Sequence, residues 1–246
     1  MSNKTMPSDR TYWNQSRSPF YSFVFALPLF LIYELGILLV SSDDIPNLRN
    51  GADVLMRQVL DTFGILAVYG FGVVFMLGFI IVFLVQKQNW AITNIRSSYL
   101  LVMLAESLVW GGILFFILRS AQSLLMFSDG KTLIQQLILA VGAGIYEEFI
   151  FRVLLISGLG TVLKFVFQWS RPTYNTAAVL LAAIIFSLFH FMGSFGDNFE
   201  FRLFMVRTLA GVILGIIYVL RGFGIAAYSH TIYDLIVLTM ITTAAA

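Results

Sequence analysis

The amino-acid sequence predicts an all-α fold, a polytopic bundle of about seven transmembrane helices. Of its 246 residues, 59% are hydrophobic and only 11% are charged, whereas soluble domains contain about 25% charged residues. The mean hydropathy is +0.88. Apolar runs long enough to cross a hydrocarbon core, which takes about 20 helical residues, recur along the chain. These observations indicate an integral, multi-pass membrane protein that forms a single domain over residues 1–246.

Seven apolar runs, separated by polar or glycine-containing segments, define the predicted spans. A polar N-terminal segment, residues 1–18, precedes the first run and is expected to stay outside the bilayer. An eighth span would arise if residues 52–60 or 157–175 dipped into the membrane, since each can form a short amphipathic interfacial helix. The predicted spans are residues 19–40, 62–85, 99–118, 133–156, 176–192, 203–220 and 224–243.

The distribution of positive charge predicts the orientation of the bundle. With seven spans, the loops on the N-terminal side carry Lys4, Arg10, Arg17, Lys87, Arg96, Lys164, Arg171 and Arg221. The loops on the other side carry Arg49, Arg57, Arg119, Lys131 and Arg202. The excess on the first side favours a cytoplasmic N-terminus by the positive-inside rule.

Charge balance and cysteine content exclude several classes of partner and site. Fifteen Lys and Arg stand against thirteen Asp and Glu, so nucleic acid is not an expected partner, whereas the lipid bilayer is. The sequence contains no cysteine, which excludes disulfides and thiolate metal sites. The oligomeric state is left open.

Three charged residues interrupt the fourth predicted span. They are Glu147, Glu148 and Arg152. A charge at the bilayer centre costs at least about 2.5–3.5 kcal/mol, so such residues normally face a protein interior and pair with one another. Glu148 and Arg152 are four apart and share a helix face, which predicts either a structural ion pair or a direct chemical role. Glu147 lies about 100° around the helix from Glu148 and is free to point elsewhere.

The only two histidines also fall within predicted spans. His190 lies at the end of the fifth span, and His230 shares a face of the seventh with Asp234. A Glu–His pair can act as a general base in hydrolysis by an activated water. The same set could instead hold a divalent metal such as zinc, with Glu147, His190 and His230 as ligands. The spans as drawn place Glu147 and His190 near opposite ends of their helices, which indicates a wrong boundary or a re-entrant segment.

Other polar residues and glycines within the spans allow less specific predictions. Glu34 either makes a structural hydrogen bond or reaches the membrane interface. Glu106 and Arg207 are candidate partners of the site residues. Gly142 and Gly144 are expected to let another helix approach closely just before the two glutamates.

The three polar motifs together resemble the signature of a known family. Glu147-Glu148-x-x-x-Arg152, Phe186-x-x-x-His190 and His230-x-x-x-Asp234 occur in order on separate predicted spans, within residues 133–240. This pattern is similar to that of the CPBP family, the CAAX-protease and bacteriocin-processing (Abi) membrane proteins.

The resemblance implies a glutamate-dependent intramembrane endopeptidase acting on a membrane-associated peptide or protein. Glu147 would activate the water and His190 would help to hold it, while Glu148 and Arg152 would support the site. His230 and Asp234 would stabilise the oxyanion. The CAAX-cleaving branch commonly has asparagine at the last position, and aspartate donates a hydrogen bond only when protonated. The expected location is the inner (plasma) membrane of a bacterial cell.

Two other classes of function use the same residues. A proton- or metal-coupled transporter could use buried Glu and His side chains as a relay, but no internal repeat of the kind common in transporters is found. A non-catalytic membrane scaffold would have no chemical need for every polar group of the three motifs.

Overall fold

A computed structural model describes residues 11–39, 77, 80, 95–119, 132–192 and 197–244. Within these ranges all regular secondary structure is helical, and six helices are long and apolar enough to cross a membrane. They correspond to the first predicted span and to spans three to seven, which confirms the polytopic all-α fold. The predicted second span, residues 62–85, and the amphipathic segment 52–60 lie outside the described ranges, apart from two isolated helical positions.

The helices keep close to the predicted spans, with one exception after residue 156. A short N-terminal helix precedes the first span. The helices are α1 (Tyr12–Ser16), α2 (Pro19–Leu39), α3 (Ser97–Leu118), α4 (Leu133–Gly142), the π-helical segments Ala143–Glu147 and Phe149–Ile156, α5 (Ser157–Phe167), α6 (Arg171–Phe189), α7 (Phe201–Arg221) and α8 (Phe223–Ala244).

The prediction that the fourth span ends at residue 156 is wrong. The span continues without a break through α5, giving a 35-residue helix from Leu133 to Phe167, hereafter the long helix. The continued helix contains Gly158 and Gly160, but an isolated glycine in a helix costs only about 1 kcal/mol. Gly160 is buried and a Cβ there would lie 3.5 Å from the Tyr174 ring. The helix ends instead at Gln168, which adopts the left-handed conformation with φ 51°.

The long helix is not regular where it carries the charged motif. Two π-helical segments, Ala143–Glu147 and Phe149–Ile156, lie on either side of Glu148. Such wider turns are rare and are often found at functional sites. No pattern in the sequence predicted them. Together they set the directions in which the two glutamates and Arg152 leave the helix.

Helix α8 lies at the centre of the described bundle. It contacts α2, α3, α7 and the Ala143–Glu147 segment, while α6 packs between α7 and the second half of the long helix. Small residues allow these close contacts, and Ile225, Ala226 and Ala227 of α8 are fully buried. The bundle thus brings the middle of the long helix, the end of α6 and the middle of α8 together.

The two glycines before the charged motif allow close contact, as predicted. A Cβ at Gly142 would lie 2.3 Å from the Tyr33 ring. A Cβ at Gly144 would lie 1.9 Å from Oγ1 of Thr231 and 2.7 Å from the carbonyl oxygen of Ala227. The contact between this Cβ and the carbonyl oxygen of Ala227 involves the backbone of α8, which cannot move aside without a large cost in free energy.

Gly144→Ala is therefore expected to destabilise the protein by about 1–3 kcal/mol, the usual cost of overpacking. Gly158→Ala, on the same long helix, is the matched control because no atom lies within 4 Å of its added Cβ. That control is expected to be neutral or stabilising, since alanine is the better helix former. Thermal unfolding of both variants in one detergent measures the difference. Equal melting temperatures would contradict the close contact with α8.

Candidate active site

The structure brings the six predicted site residues into one group. Glu147, Glu148 and Arg152 lie near the middle of the long helix, not at its end, because α5 extends it. His190 immediately follows α6, and the pair His230 and Asp234 lies in α8. The apparent mismatch in depth came from the wrong boundary at residue 156, and no re-entrant segment is needed to bring Glu147 and His190 together.

Glu147 and His190 face each other across the helix interface. Oε2 of Glu147 lies 3.9 Å from Nε2 of His190, too far for a direct hydrogen bond. Nδ1 of His190 lies 2.8 Å from the carbonyl oxygen of Phe186 and must donate to it, because a carbonyl only accepts. In the neutral ring, Nε2 therefore presents a lone pair towards Glu147.

His190 is also the more accessible member of this pair. Its side chain is 24% exposed, against 9% for the side chain of Glu147. Of the two facing groups, His190 is therefore the one that solvent reaches more readily.

Glu148 is fully buried between two basic side chains. Oε2 lies 3.0 Å from Nε of Arg152, which confirms the predicted i,i+4 pair. Oε1 lies 2.9 Å from Nδ1 of His230, so this nitrogen carries the hydrogen. Glu148 thus connects the long helix to α8 through charge-assisted contacts, which are stronger than neutral hydrogen bonds.

Arg152 packs against an aromatic ring as well as against Glu148. Its guanidinium carbon lies 4.7 Å from the centre of the Phe186 ring, and its Nη1 and Nη2 bond no other group in the described part of the chain. The Phe186 ring is itself 4.8 Å from that of His190. Phe186 therefore touches two polar members of the site.

The His230 and Asp234 side chains share one face of α8, as their spacing predicts. Nε2 of His230 lies 3.5 Å from Oδ2 of Asp234. This distance is longer than a good hydrogen bond, so Nε2 keeps the capacity to contact a further group. His230 therefore lies between two carboxylates, with its Nδ1 committed to Glu148.

The arrangement does not match a metal centre built from three protein ligands. Throughout the described ranges, no three His, Asp or Glu side chains are placed to hold one ion. Glu147 and His190 face each other, but His230 instead contacts Glu148 and Asp234. A catalytic zinc site needs three protein ligands around the ion. The side chains that the structure describes do not supply such a set.

Two further carboxylates, Glu34 and Glu106, bind residues outside the six-residue group. Glu34 accepts a short hydrogen bond from the hydroxyl of Tyr146, so the structural alternative for Glu34 is correct. Glu106 binds Arg221 through Nε at 2.5 Å and Nη2 at 2.8 Å. The suggestion that Glu106 is a partner of the site residues is wrong, because Glu106 contacts Arg221, the last residue of α7, and Tyr12.

The Glu106–Arg221 pair also fixes the N-terminal helix. Nη2 of Arg221 donates to Oγ of Ser16 at 2.9 Å, and its guanidinium carbon lies 3.8 Å from the Trp13 ring. The hydroxyl of Tyr12 donates to Glu106 at 2.7 Å. Burial, with the bond to Glu106 and its charge, raises the pKa of Tyr12 to about 12, so Tyr12 stays a neutral donor at physiological pH.

Arg207 lies close to the site without joining the six-residue group. It binds Asp197 through Nη2 at 2.6 Å, and its guanidinium carbon lies 5.4 Å from the Phe191 ring. The backbone N–H of Asp197 in turn donates to the carbonyl oxygen of His190 at 2.9 Å. Arg207 therefore holds Asp197, whose backbone bonds that of His190. Sequence reasoning missed Asp197, which no periodic pattern distinguishes from an ordinary loop carboxylate.

Comparison with known proteins agrees with the geometry. Residues 129–236 match the family model described as "Rce1-like: Type II CAAX prenyl endopeptidase Rce1-like". No curated protein and no solved structure matches the chain significantly. The matched range contains all three motifs and all six grouped residues. The resemblance drawn from the motifs is confirmed, because residues 129–236 are similar to the Rce1-like family of CAAX prenyl endopeptidases.

Proposed function

We propose that the protein is an intramembrane glutamate-dependent endopeptidase that hydrolyses a peptide bond of a membrane-associated peptide or protein. The observation that carries the proposal is that Oε2 of Glu147 faces Nε2 of His190 at a distance of 3.9 Å. Both groups are hydrogen-bond acceptors at this point, and one water can donate to both. The family match supports a peptidase, and the six long apolar helices support a substrate that reaches the site from the membrane.

The first chemical step is the activation of water. A water that donates one hydrogen to Glu147 and the other to His190 directs its lone pairs away from both, towards a bound substrate. Glu147 takes a proton as the water oxygen bonds to the scissile carbonyl carbon. A positioned general base typically contributes about 10²–10⁴-fold in rate. The resulting carboxylic acid then protonates the amide nitrogen as the C–N bond breaks.

Stabilisation of the oxyanion is assigned to His230. Its Nδ1 is committed to Glu148 at 2.9 Å, so Nε2 is the nitrogen left to donate to a substrate oxygen. Donation from Nε2 needs a doubly protonated ring, and Glu148 and Asp234 on its two sides balance that positive charge. Asp234 acts as the charge partner of His230 and not as a donor, which removes the need for an asparagine at this position.

Glu148 and Arg152 are assigned to positioning. Glu148 fixes the orientation of His230, and Arg152 compensates the charge of Glu148 while packing against Phe186. Neither needs to touch the substrate for this role. The substrate class stays as the family implies, a peptide or protein at the membrane.

The proposal is tested by comparing peptide termini in cells that carry the wild-type protein or Glu147→Gln. We expect at least one terminus, in a membrane-associated protein or peptide, that appears only with the wild type. Glu200→Gln is the control, because Glu200 is an exposed carboxylate preceding α7 whose side chain makes no capping bond. Identical termini with wild type and Glu147→Gln would contradict the proposal, and substrate flux into proteoliposomes without cleavage would favour a transporter.

A further inference from the structure

A cavity of about 510 Å³ opens on the N-terminal side of the bundle, away from the six grouped residues. It lies between the start of α2, helix α5, the start of α6 and the turn from α7 to α8. Its volume is within the range of about 300–1,000 Å³ typical of small-ligand sites. None of the six grouped residues lines it.

The wall of this cavity is positively charged. Arg17, Lys164 and Arg171 line it, each from a different segment of the chain, and no aspartate or glutamate does. In the part of the chain that the structure describes, none of the three forms an ion pair with a carboxylate. All three belong to the face that the charge distribution predicts to be cytoplasmic. A concave group of cations without a protein counter-charge attracts an anion.

A buried polar side chain in the cavity wall supports an anionic ligand independently. Ser22 is only 2% exposed, lines the cavity, and its Oγ bonds no group among the described residues. A buried hydroxyl without a partner is rare in native structures and calls for an explanation. The first turn of α6 also borders the cavity through Arg171 and Tyr174, and the N-terminus of a helix favours negative charge.

The outer face of α5 shows which anion the site fits. Beside Lys164, the side chain of Phe165 is 84% exposed, and Val162, Val166 and Phe167 are exposed as well. Phe167 stacks on Trp169 with the ring centres 4.8 Å apart. Exposed aromatic side chains next to cations are typical of the level of the lipid headgroups. A soluble anion would have no use for this apolar surface, whereas acyl chains would cover it.

We propose that this cavity binds the phosphate headgroup of an anionic phospholipid. Arg17, Lys164 and Arg171 contact the phosphate, Ser22 donates a hydrogen bond to the headgroup, and the acyl chains lie along the exposed face of α5. The site is separate from the proposed active site and does not depend on peptidase activity.

The proposal is tested on the purified full chain in a neutral detergent, with bound lipid counted by native mass spectrometry. We expect phosphatidylglycerol to bind at least about tenfold more tightly than phosphatidylcholine with the same acyl chains. Lys164→Gln and Arg171→Gln should each weaken phosphatidylglycerol binding by about fivefold, the usual contribution of one cation near an anionic lipid. Both residues are exposed, so the variants are expected to fold, and Lys164→Glu should weaken binding further.

The matched control is Arg96→Gln, which removes a positive charge predicted to lie on the same face but outside the cavity. Its affinity for phosphatidylglycerol should stay within about twofold of wild type, because Arg96 does not line the site. Equal binding of the two lipids, or an equal loss in Arg96→Gln, would overturn the proposal. Inorganic phosphate that competed as strongly as the lipid would overturn the lipid assignment in favour of a free phosphate.

Discussion

Glu147→Gln is expected to lower the rate of peptide cleavage by about 10²–10⁴-fold, the contribution of a positioned general base. Glutamine keeps the volume of the side chain and still accepts a hydrogen bond from water, but it cannot take up the proton. The melting temperature should change little, because the substitution conserves the volume of the side chain. The measurement is single-turnover cleavage in proteoliposomes of the peptide found with the wild type.

Two further variants make this test specific. His190→Ala should also slow cleavage, because the water loses one of its two acceptors, whereas Glu200→Gln should cleave at the wild-type rate. A Glu147→Gln protein that turned over substrate as fast as wild type would show that another group is the base. If a variant lost both its activity and its thermal unfolding transition, the loss of activity would reflect a failure to fold.

Arg152→Met is expected to destabilise the protein by about 3–5 kcal/mol, because it removes one partner of a fully buried ion pair. The pair is 3.0 Å long, with both side chains at most 2% exposed. Methionine retains much of the length of arginine and its packing against Phe186, so the loss reports mainly on the charge of Glu148, which keeps only its contact with His230. The measurement is the denaturation midpoint in detergent.

The double variant Arg152→Met with Glu148→Gln separates the two effects. Glutamine removes the buried negative charge and can still accept the hydrogen bond from Nδ1 of His230. The double variant should therefore be more stable than Arg152→Met alone, since removing both charges of a buried pair is often close to neutral. A double variant less stable than either single variant would contradict the role of Glu148 and Arg152 as two buried charges that compensate each other.

The contacts that sequence reasoning predicted here are local in the chain. Hydropathy located the described spans, because the bilayer requires long apolar helices whatever their neighbours. The pairs Glu148–Arg152 and His230–Asp234 follow from helical periodicity alone. The grouping of Glu147 with His190 came from the family resemblance and the chemistry of hydrolysis, and the structure places the two 3.9 Å apart.

The features that could not be predicted depend on distant parts of the chain. The hydroxyl of Tyr146 binds a carboxylate 112 residues away, and Glu106 binds an arginine 115 residues away. No spacing rule connects such positions. The extension of the fourth span through α5 was missed because residues 157–175 were interpreted as a separate segment with a short interfacial helix, whereas the long helix continues to Phe167.

The attachment of α1 has a consequence for the order in which the protein assembles during synthesis. Ser16 binds Arg221 across 205 positions of the chain, and Tyr12 binds Glu106 across 94. The N-terminal helix leaves the ribosome well before its partner at the end of α7, which is made 205 residues later. Closure of the bundle at this face is therefore a late, post-insertion event, and until then Glu106 enters the membrane without its cation.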